Sequence, residues 1–397
     1  IGLTATESWQ AVKDGVCGIA PITQFDPTGM KVQLAAEVKG FDPENYMSKP
    51  EAKRMARFTQ LAVVSAKEAL ENAGFTLDEA EADRCGVIVS SGIGGLFLTE
   101  AEHDRGKEKG WDRVSPFYIP MGICNMAAGQ IAIHTGFRGM CSCPVTACTG
   151  GTNAVGDAFH YIRDGYADVM LCGGTESAVT PLAIGAFTSM KALTQNPDPT
   201  RASIPFDAER SGFVLGEGAA ILLLEELEHA KARGARIYAE VVGYGATCDA
   251  YHMTAPRPDG SGGAKAMEMA LADGGVKPEE VGYINAHGTS TPLNDAGETA
   301  AVKTVFGDHA YKLAISSTKS MTGHMLGAAG AVEALFCAKT LQEGYLPATI
   351  HYQVPDPACD LDVVPNQGRS ANVQYALSNS LGFGGHNGSL LFKKWEA

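Results

Sequence analysis

The sequence lacks several features that would set it apart from ordinary globular enzymes. Basic residues are scarce, with 31 Lys and Arg against 45 Asp and Glu, so the formal net charge is 31 − 45 = −14 at pH 7. A broad nucleic-acid surface needs positive charge, so no nucleic-acid partner is expected. Apolar runs such as Ile221 to Leu224 fall far short of the ~18 residues that cross a bilayer, and no membrane partner is expected. The first residues contain no basic-then-apolar leader, which favours a cytoplasmic location.

The ten cysteines do not form a disulfide framework, because they are scattered over the chain without clustered spacing. Cys141 and Cys143 are two residues apart, but no second Cys/His pair at zinc spacing completes a four-ligand site. We therefore expect reduced thiols and no metal.

The chain does have a large supply of apolar residues and glycines. Its 397 residues are 45% hydrophobic and include 47 glycines, which suits two domains or one large duplicated fold. Short continuous apolar runs predict buried strands, and 3.6-residue periods between them predict helices. The predicted strands cover residues 86–91, 144–147, 167–172, 281–286, 313–317 and 375–378. This alternation predicts an α/β fold with largely parallel strand pairing.

Two segments share one layout, which predicts an internal duplication. In the first, a strand is followed by a sharp turn with Cys148 and a helix from about Thr152. In the second, a strand is followed by a turn with Lys319 and His324 and a helix from about Ala328. We divide the chain into an N-terminal half, residues 1–235, and a C-terminal half, residues 236–397.

Cys148 is a candidate nucleophile. A β-favouring run ends at this thiol, and Gly150 and Gly151 then begin a helix, so the sulfur is predicted to lie beside unpaired N–H groups at a positive helix end. That position favours the thiolate, which is the reactive form. The alternative is an inert core cysteine, and this is how we interpret the other nine.

Two histidines are predicted to reach the same region. His287 and His324 both come just after predicted strands, at the sheet edge where open α/β folds hold their sites. A structural role is open for either one alone. Together with a thiol at a third corner, they indicate an active site.

These residues carry a resemblance to a known family. The motifs resemble the β-ketoacyl-acyl carrier protein synthases of the Cys-His-His type, most closely the elongating ones, over nearly the whole chain. They are Thr146-Ala147-Cys148, the run from Asn285 to Thr291, Lys319 with Gly323-His324, Gly382-Phe383-Gly384-Gly385, Pro205-Phe206-Asp207, Gly212-Phe213-Val214 and the run from Gly216 to Ala219. The resemblance implies the thiolase fold, a duplicated five-layer αβαβα arrangement.

The resemblance implies a decarboxylating Claisen condensation. Cys148 would hold the acyl chain as a thioester, and His287 and His324 would bind the malonyl carbonyl and assist loss of carbon dioxide. The N–H groups of Cys148 and Phe383 would form an oxyanion hole. The partner is acyl carrier protein in acyl and malonyl forms. It supplies the phosphopantetheine arm, so the enzyme would bind no cofactor of its own, and the family is normally a homodimer.

The remaining roles also follow from the resemblance. Lys319 would set the charge of the site with Glu333 as its partner, the alternative being an ordinary surface lysine. Thr289 and Thr291 would contact the pantetheine arm, the alternative being turn capping. Phe383 would gate the acyl pocket and Ile93 would limit acyl length, with plain core packing as the alternative for both.

Docking of an acidic carrier to an acidic enzyme needs a local basic patch. The candidates are Lys49, Lys53, Arg54 and Arg57, and three of them, Lys53, Arg54 and Arg57, are predicted to lie on or beside one helical face. A solvated helix face is the alternative.

Two other functions stay open. A polyketide-type ketosynthase shares the fold, but its modular forms usually have a serine run where this chain has Thr149-Gly150-Gly151. A non-catalytic, chain-length-setting partner subunit would also bind acyl carrier protein, but such subunits typically lack the nucleophile that Cys148 provides. The sequence departs from many relatives at Leu381 and His386, and neither residue is assigned a role in catalysis.

Overall fold

A computed structural model describes residues 1–396, which form two main mixed β-sheets, with helices between and outside them, and two further two-stranded sheets. The strands are β1 Ala20–Pro21, β2 Leu34–Ala35, β3 Cys85–Ser90, β4 Cys141–Ser142, β5 Val169–Glu176, β6 Gly218–Glu225, β7 Ala239–Cys248, β8 Val281–Asn285, β9 Ala314–Ser316, β10 Tyr345–Leu346, β11 Arg369–Ser370, β12 Tyr375–Gly382 and β13 His386–Lys394.

The helices connect these strands. They are α1 Ala5–Lys13, α2 Lys49–Ala52, α3 Arg57–Ala73, α4 Leu96–Lys109, α5 Tyr118–Gly122, α6 Met126–Thr135, α7 Gly150–Arg163, α8 Pro181–Ser189, α9 Pro199–Ala202, α10 Leu227–Ala232, α11 Ser261–Gly274, α12 Pro292–Phe306, α13 Lys319–Thr322 and α14 Ala329–Glu343. Short 3₁₀ turns include Ala147–Thr149 and Leu326–Ala328.

The two main sheets repeat one topology. The four-stranded sheet has the order β4-β3-β5-β6, with β3 parallel to β4 and β5, and β6 antiparallel to β5. The five-stranded sheet has the order β9-β8-β12-β13-β7, with β8 parallel to β9 and β12, and β13 antiparallel to β12. Strand β7 extends this second sheet. The matching order and direction confirm the predicted duplication.

The elements stack in five layers. Helices α7 and α14 pack against each other between the sheets, and their apolar side chains share one core cluster with residues of both sheets. Helices α3 and α6 cover the outer face of the first sheet, and α11 and α12 cover the outer face of the second. The predicted αβαβα arrangement is confirmed.

Burial on both faces explains why the strands were readable from sequence. All six residues of β3 and all eight of β5 are buried, so apart from Glu176 at the end of β5 their side chains are apolar or small on both faces rather than alternating. Both strands end at the same edge, and the segments that follow them surround Cys148.

The structure differs from the predicted strands in two ways. Residues 144–147 are not a strand, because the extended segment ends at Ser142 and the backbone then turns toward α7. Pairing is mixed rather than largely parallel, since β6, β7 and β13 run antiparallel to their neighbours. The first sheet ends at Glu225 and β7 begins at Ala239, and the division at residue 235 stays a prediction.

None of the helices within residues 1–396 combines the length and apolar character that a bilayer crossing requires.

Candidate active site

The nucleophile lies in a tight turn between β4 and α7. Cys148 is in the 3₁₀ turn Ala147–Thr149, and helix α7 follows directly. Ala147 has φ +50°, a left-handed conformation that costs free energy for any residue with a Cβ. Thr149 stabilises the turn, because its N–H and hydroxyl both donate to the Thr146 carbonyl at 3.1 and 2.6 Å. The strained turn presents the sulfur at the positive end of α7.

The two predicted histidines lie beside this sulfur. His324 Nε2 is 2.9 Å from Cys148 Sγ, and the imidazole rings of His287 and His324 meet edge to face with centroids 5.2 Å apart. One side-chain atom from each of the three residues falls within 4.8 Å of the others, and all three residues are buried. The sequence therefore predicted this cluster correctly, although Cys148 and His324 are 176 positions apart in the chain.

This cluster could in principle ligate a metal ion, since Cys and His are zinc ligands. Zn–S and Zn–N bonds of normal length place sulfur and nitrogen about 3.5 Å apart at a tetrahedral ion. The observed separation of 2.9 Å between Sγ and Nε2 is instead a hydrogen-bond distance. The geometry favours a nucleophile beside an imidazole.

Lys319 brings a positive charge into the site. Its side chain is almost fully buried and its ammonium pairs with the Glu333 carboxylate on α14. Burial raises the pKa of Glu333, although the Lys319 charge opposes this. The predicted pairing of the two residues is present, and the alternative of a surface lysine is wrong.

Burial also fixes the charge state of both histidines. It lowers the pKa of His287 and of His324 well below the ordinary imidazole value, and the Lys319 charge lowers both further. Both rings are therefore neutral near pH 7, and each can carry one N–H as a hydrogen-bond donor.

The charge state of the thiol differs from the expectation. Burial raises the pKa of Cys148 to about 12, while the Lys319 charge and the Phe383 N–H oppose this rise. The thiol is 7% exposed and packed among apolar side chains, so a resting thiolate would lack solvation. The positive helix end does not outweigh this loss, and the free enzyme holds a protonated thiol.

Phe383 lies in the turn of the β12–β13 hairpin and is half-buried. Its N–H faces the Cys148 sulfur. Gly384 and Gly385 both have positive φ, at +86° and +77°, so this turn depends on residues that lack a Cβ. The backbone geometry matches the predicted oxyanion hole, whose role stays a prediction.

Three predicted substrate contacts surround the cluster. Thr291 is the residue before α12, but its side chain does not cap that helix and its hydroxyl lies 3.0 Å from the hydroxyl of Thr289. Ile93 packs on the apolar cluster that contains Cys148. The packing places Ile93 against the apolar cluster beside the nucleophile, and the roles of the three residues in substrate binding stay predictions.

The predicted docking patch needs one correction. Arg57 points inward, where its guanidinium forms two hydrogen bonds with the buried Glu217 carboxylate at 2.8 and 3.0 Å. Lys53 and Arg54 are exposed in the turn between α2 and α3, and Lys49 is exposed beside Glu44. The four residues do not share one helix, and only Lys49, Lys53 and Arg54 remain available to a partner.

Three residues at the site went unassigned in the sequence. The Phe213 ring packs edge to face on His324 with centroids 5.2 Å apart. Glu298 on α12 accepts the N–H groups of His287 and Gly288, both at 2.8 Å, and burial raises its pKa to about 7. Glu176 ends β5 and is fully buried. Only Glu176 had a signal in the sequence, because it is an acidic residue at the end of a strand that is otherwise uncharged.

Fold and site together define a condensing enzyme of the thiolase-like class, with a buried thiol and two neutral histidines between duplicated halves. The sequence profile described as "Beta-ketoacyl synthase, N-terminal domain" matches residues 1–230, and "Beta-ketoacyl synthase, C-terminal domain" matches residues 238–353. The chain belongs to the β-ketoacyl synthase family.

Curated relatives match along the whole chain. A protein of Synechocystis sp. named 3-oxoacyl-[acyl-carrier-protein] synthase 2 is 52% identical over 397 residues, covering 100% of this chain and 95% of its own. A Staphylococcus aureus protein of the same name is 51% identical, covering 100% of this chain and 96% of its own.

Solved structures share the fold. A β-ketoacyl synthase from Burkholderia phymatum superposes with a TM-score of 0.92 at 35% identity, covering 100% of this chain and 98% of its own. A type II PKS ketosynthase, solved in complex with its acyl-carrier protein, also gives 0.92 at 35% identity, covering 100% of this chain and 96% of its own. The higher identity to the fatty-acid-type relatives favours that branch over the polyketide alternative.

Proposed function

We propose that this enzyme elongates fatty acyl chains by condensing malonyl-acyl carrier protein with an acyl group held on Cys148. The observation that carries the proposal is a buried thiol that contacts the neutral imidazole of His324 and lies within 4.8 Å of that of His287, beside the Lys319 charge. The names of the curated relatives support the choice of substrate.

The first half-reaction loads the acyl chain. The Cys148 sulfur attacks the carbonyl of the acyl thioester, a new S–C bond forms, and the pantetheine thiol leaves with the proton that the cysteine gives up. In this proposal the N–H groups of Cys148 and Phe383 stabilise the oxyanion of the intermediate, because main-chain donors can do so without reorganising. The apolar cluster around the sulfur receives the chain.

The second half-reaction makes the new carbon–carbon bond. The malonyl carboxylate leaves as carbon dioxide, and its bonding electrons form an enolate whose oxygen accepts hydrogen bonds from His287 and His324. The enolate carbon then attacks the acyl-Cys148 carbonyl, the C–S bond to Cys148 breaks, and the released thiolate takes up a proton from solvent. Neutral histidines suit this step, because each can donate an N–H hydrogen bond to the enolate oxygen. A neutral ring carries no positive charge from which the product would have to separate.

The carrier protein brings the only prosthetic arm that the proposal needs. Its phosphopantetheine thiol carries both substrates, and the hydroxyls of Thr289 and Thr291, which lie 3.0 Å apart, bind the amides of that arm in this proposal. The type II PKS ketosynthase that shares the fold was solved with its own acyl-carrier protein, which supports a carrier partner here. A cytoplasmic location fits this chemistry.

The proposal includes a homodimer. Strand β4 is an edge of its sheet, with β3 as its one neighbour in the sheet order, and an unpaired edge can continue into a second copy. Large apolar side chains are exposed on nearby segments, and such patches mark interfaces. They are Phe117, Ile119, Ile123, Ile133, Met140 and Val145.

The proposal is tested by separating the half-reactions. With acyl-carrier protein as donor, wild type is expected to form a covalent acyl-enzyme detectable by intact-protein mass spectrometry, and Cys148→Ala is expected to form none. Acylation of the Cys148→Ala protein would contradict the assignment of the nucleophile.

The histidine variants complete this experiment. His287→Ala and His324→Ala should still acylate Cys148, while release of carbon dioxide from malonyl-carrier protein should fall by about 100-fold or more, the usual size of losing an oxyanion donor. Loss of acylation as the sole defect would contradict the role of the histidines.

A further inference from the structure

Glu176 is a buried carboxylate that the reaction scheme above does not use. It is the last residue of β5 and has no exposed surface. Both of its oxygens accept two hydrogen bonds. The donors are Gly92 N–H at 2.8 Å and Gly327 N–H at 3.1 Å to Oε2, and the Ser91 hydroxyl at 3.0 Å and Ile93 N–H at 3.2 Å to Oε1.

The four donors are all neutral, so this carboxylate is compensated by dipoles rather than by a cation. Burial raises the pKa of Glu176, and the N–H groups of Gly92, Gly327 and Ile93 oppose that rise. Burying a carboxylate is costly unless its hydrogen bonds are satisfied, and here all of them are. Such a group holds its donors in fixed positions.

Glu176 joins two segments that come from different halves of the fold. Residues 91–94, the pocket turn, are tightened further by the Gly94 N–H, which donates to the Ser91 hydroxyl at 3.0 Å. Gly327 comes three residues after His324 and two residues before the first residue of α14. The approach is close, because a Cβ on Gly327 would lie 2.7 Å from the Gly92 nitrogen.

The pocket turn bears on the space that an acyl chain must occupy. Ile93 packs against the apolar cluster that includes Cys148, Ile184 and Leu326. Cys148 is surrounded by this cluster, so a chain on its sulfur needs room that neighbouring side chains now fill. A long chain requires Ile93 and its turn to move, whereas a short chain does not reach as far.

We propose that Glu176 is a positioning residue that sets acyl-length preference by holding the pocket turn and, through it, Ile93. The inference deepens the proposed function and rests on it. Weakening the Glu176 hydrogen bonds makes the turn easier to displace, which favours long acyl chains over short ones.

The test is Glu176→Gln, which replaces one acceptor oxygen with an NH₂ group that faces N–H donors. The measurement is kcat/KM with hexadecanoyl- and hexanoyl-carrier protein. The ratio of long to short is expected to rise about tenfold, the usual scale of losing one or two hydrogen bonds to a charged group. The matched control is Glu225→Gln, a buried carboxylate at the opposite end of the same sheet, where β5 residue Val169 pairs with Glu225. The long-to-short ratio of kcat/KM in Glu225→Gln should stay at the wild-type value.

A double variant tests whether Glu176 acts through Ile93. In an Ile93→Ala background, Glu176→Gln should change the length ratio by less than about twofold, because the side chain that the turn positions is gone. A full tenfold rise in that background would overturn the proposal. If Glu176→Gln fails to fold, Ser91→Ala removes one of the four donors and should raise the ratio about threefold.

Two results would overturn the inference while leaving the proposed function intact. One is a wild-type length ratio in folded Glu176→Gln or Ser91→Ala. The other is an equal loss at both chain lengths, which indicates a structural role alone. Failure of the wild-type protein to form acyl-Cys148 would instead overturn the proposed function.

Discussion

Lys319 places one buried positive charge beside all three reactive side chains. Its charge lowers the pKa of His287 and His324 and opposes the rise in the pKa of Cys148. The ammonium is held by Glu333 rather than by solvent, so it stays fixed while the substrates exchange. One residue therefore helps to keep both imidazoles neutral and favours any negative charge that develops during the reaction.

The lowered histidine pKa values predict an acid-tolerant decarboxylation step. The neutral imidazole is the active form, and a pKa well below 6.5 moves its protonation to lower pH. Release of carbon dioxide from malonyl-carrier protein at pH 5.5 should be within about twofold of the rate at pH 7.5, whereas an ordinary imidazole with a pKa of about 6.5 would be roughly 90% protonated at pH 5.5.

The pH experiment needs a folding control. In the unfolded chain the histidines are protonated as the pH falls through about 6.5, whereas their lowered pKa values keep them neutral in the folded protein. The free energy of unfolding therefore falls as the pH drops below that value. Tryptophan fluorescence at each pH shows whether the protein is still folded. A decline in the rate of folded enzyme with an apparent pKa near 6.5 would show that the histidines titrate normally.

At the residue scale, the sequence predicted Cys148, His287, His324 and the partnership of Lys319 with Glu333. It could do so because strand-to-helix corners with glycines are local features, and the family motifs lie on them. The protonation of Cys148 was not predictable in this way. It depends on packing by residues far along the chain, such as Ile184 and Leu326, and no local pattern reports that burial.

Helices α7 and α14 meet at their N-terminal ends without room for side chains between them. A Cβ on Gly151 would lie 2.7 Å from the Ala331 nitrogen, and a Cβ on Gly330 would lie 2.7 Å from the Thr152 nitrogen. These glycines let one backbone rest on the other, which fixes the turn of Cys148 relative to the turn after His324.

Gly151→Ala tests this contact. The two atoms nearest to the added methyl group, at 2.7 and 2.9 Å, are backbone atoms that cannot rotate away, so the free energy of unfolding should fall by ~1–3 kcal/mol, and the rate of condensation should fall with it. The matched variant is Gly185→Ala in α8, where nothing lies within 4 Å of the new Cβ and stability should be unchanged or higher by up to ~1 kcal/mol. Urea denaturation measures both, and equal effects of the two substitutions would argue against a close backbone contact.

At the element scale, the continuous apolar runs of β3, β5 and β8 and the periodic faces of α7 and α14 were readable from sequence. Strands β7 and β13 were not, because Gly, polar and charged residues interrupt their apolar runs. Strand β6 has an unbroken apolar run, Ala219 to Leu224, but such a run does not show that the strand pairs antiparallel to β5. Residues 144–147 have β-forming side chains, but the turn to α7 determines their backbone instead. Tertiary context decided these segments.

The whole molecule carries a net charge of −14, and this makes its few free basic side chains important for meeting an acidic carrier. Lys53 and Arg54 are exposed in the turn before α3. Changing both to Glu should raise KM for acyl-carrier protein about tenfold at low salt, with little change for the same acyl group on coenzyme A.

Lys265→Glu is the comparison for the docking experiment, because this exposed lysine lies on α11 in the other half of the chain. It should leave both KM values at the wild-type level. An equal rise in KM from Lys265→Glu would mean that overall charge, rather than a local patch, governs the encounter.

The abutting ends of α7 and α14 also bear on how this catalyst can be altered. Both helices direct their positive dipole ends toward the small volume where charge develops, and they do so through peptide groups that substitution leaves in place. Engineering for a different product can therefore work on the pocket walls and the outer surface, while this part of the electrostatic stabilisation stays in the main chain.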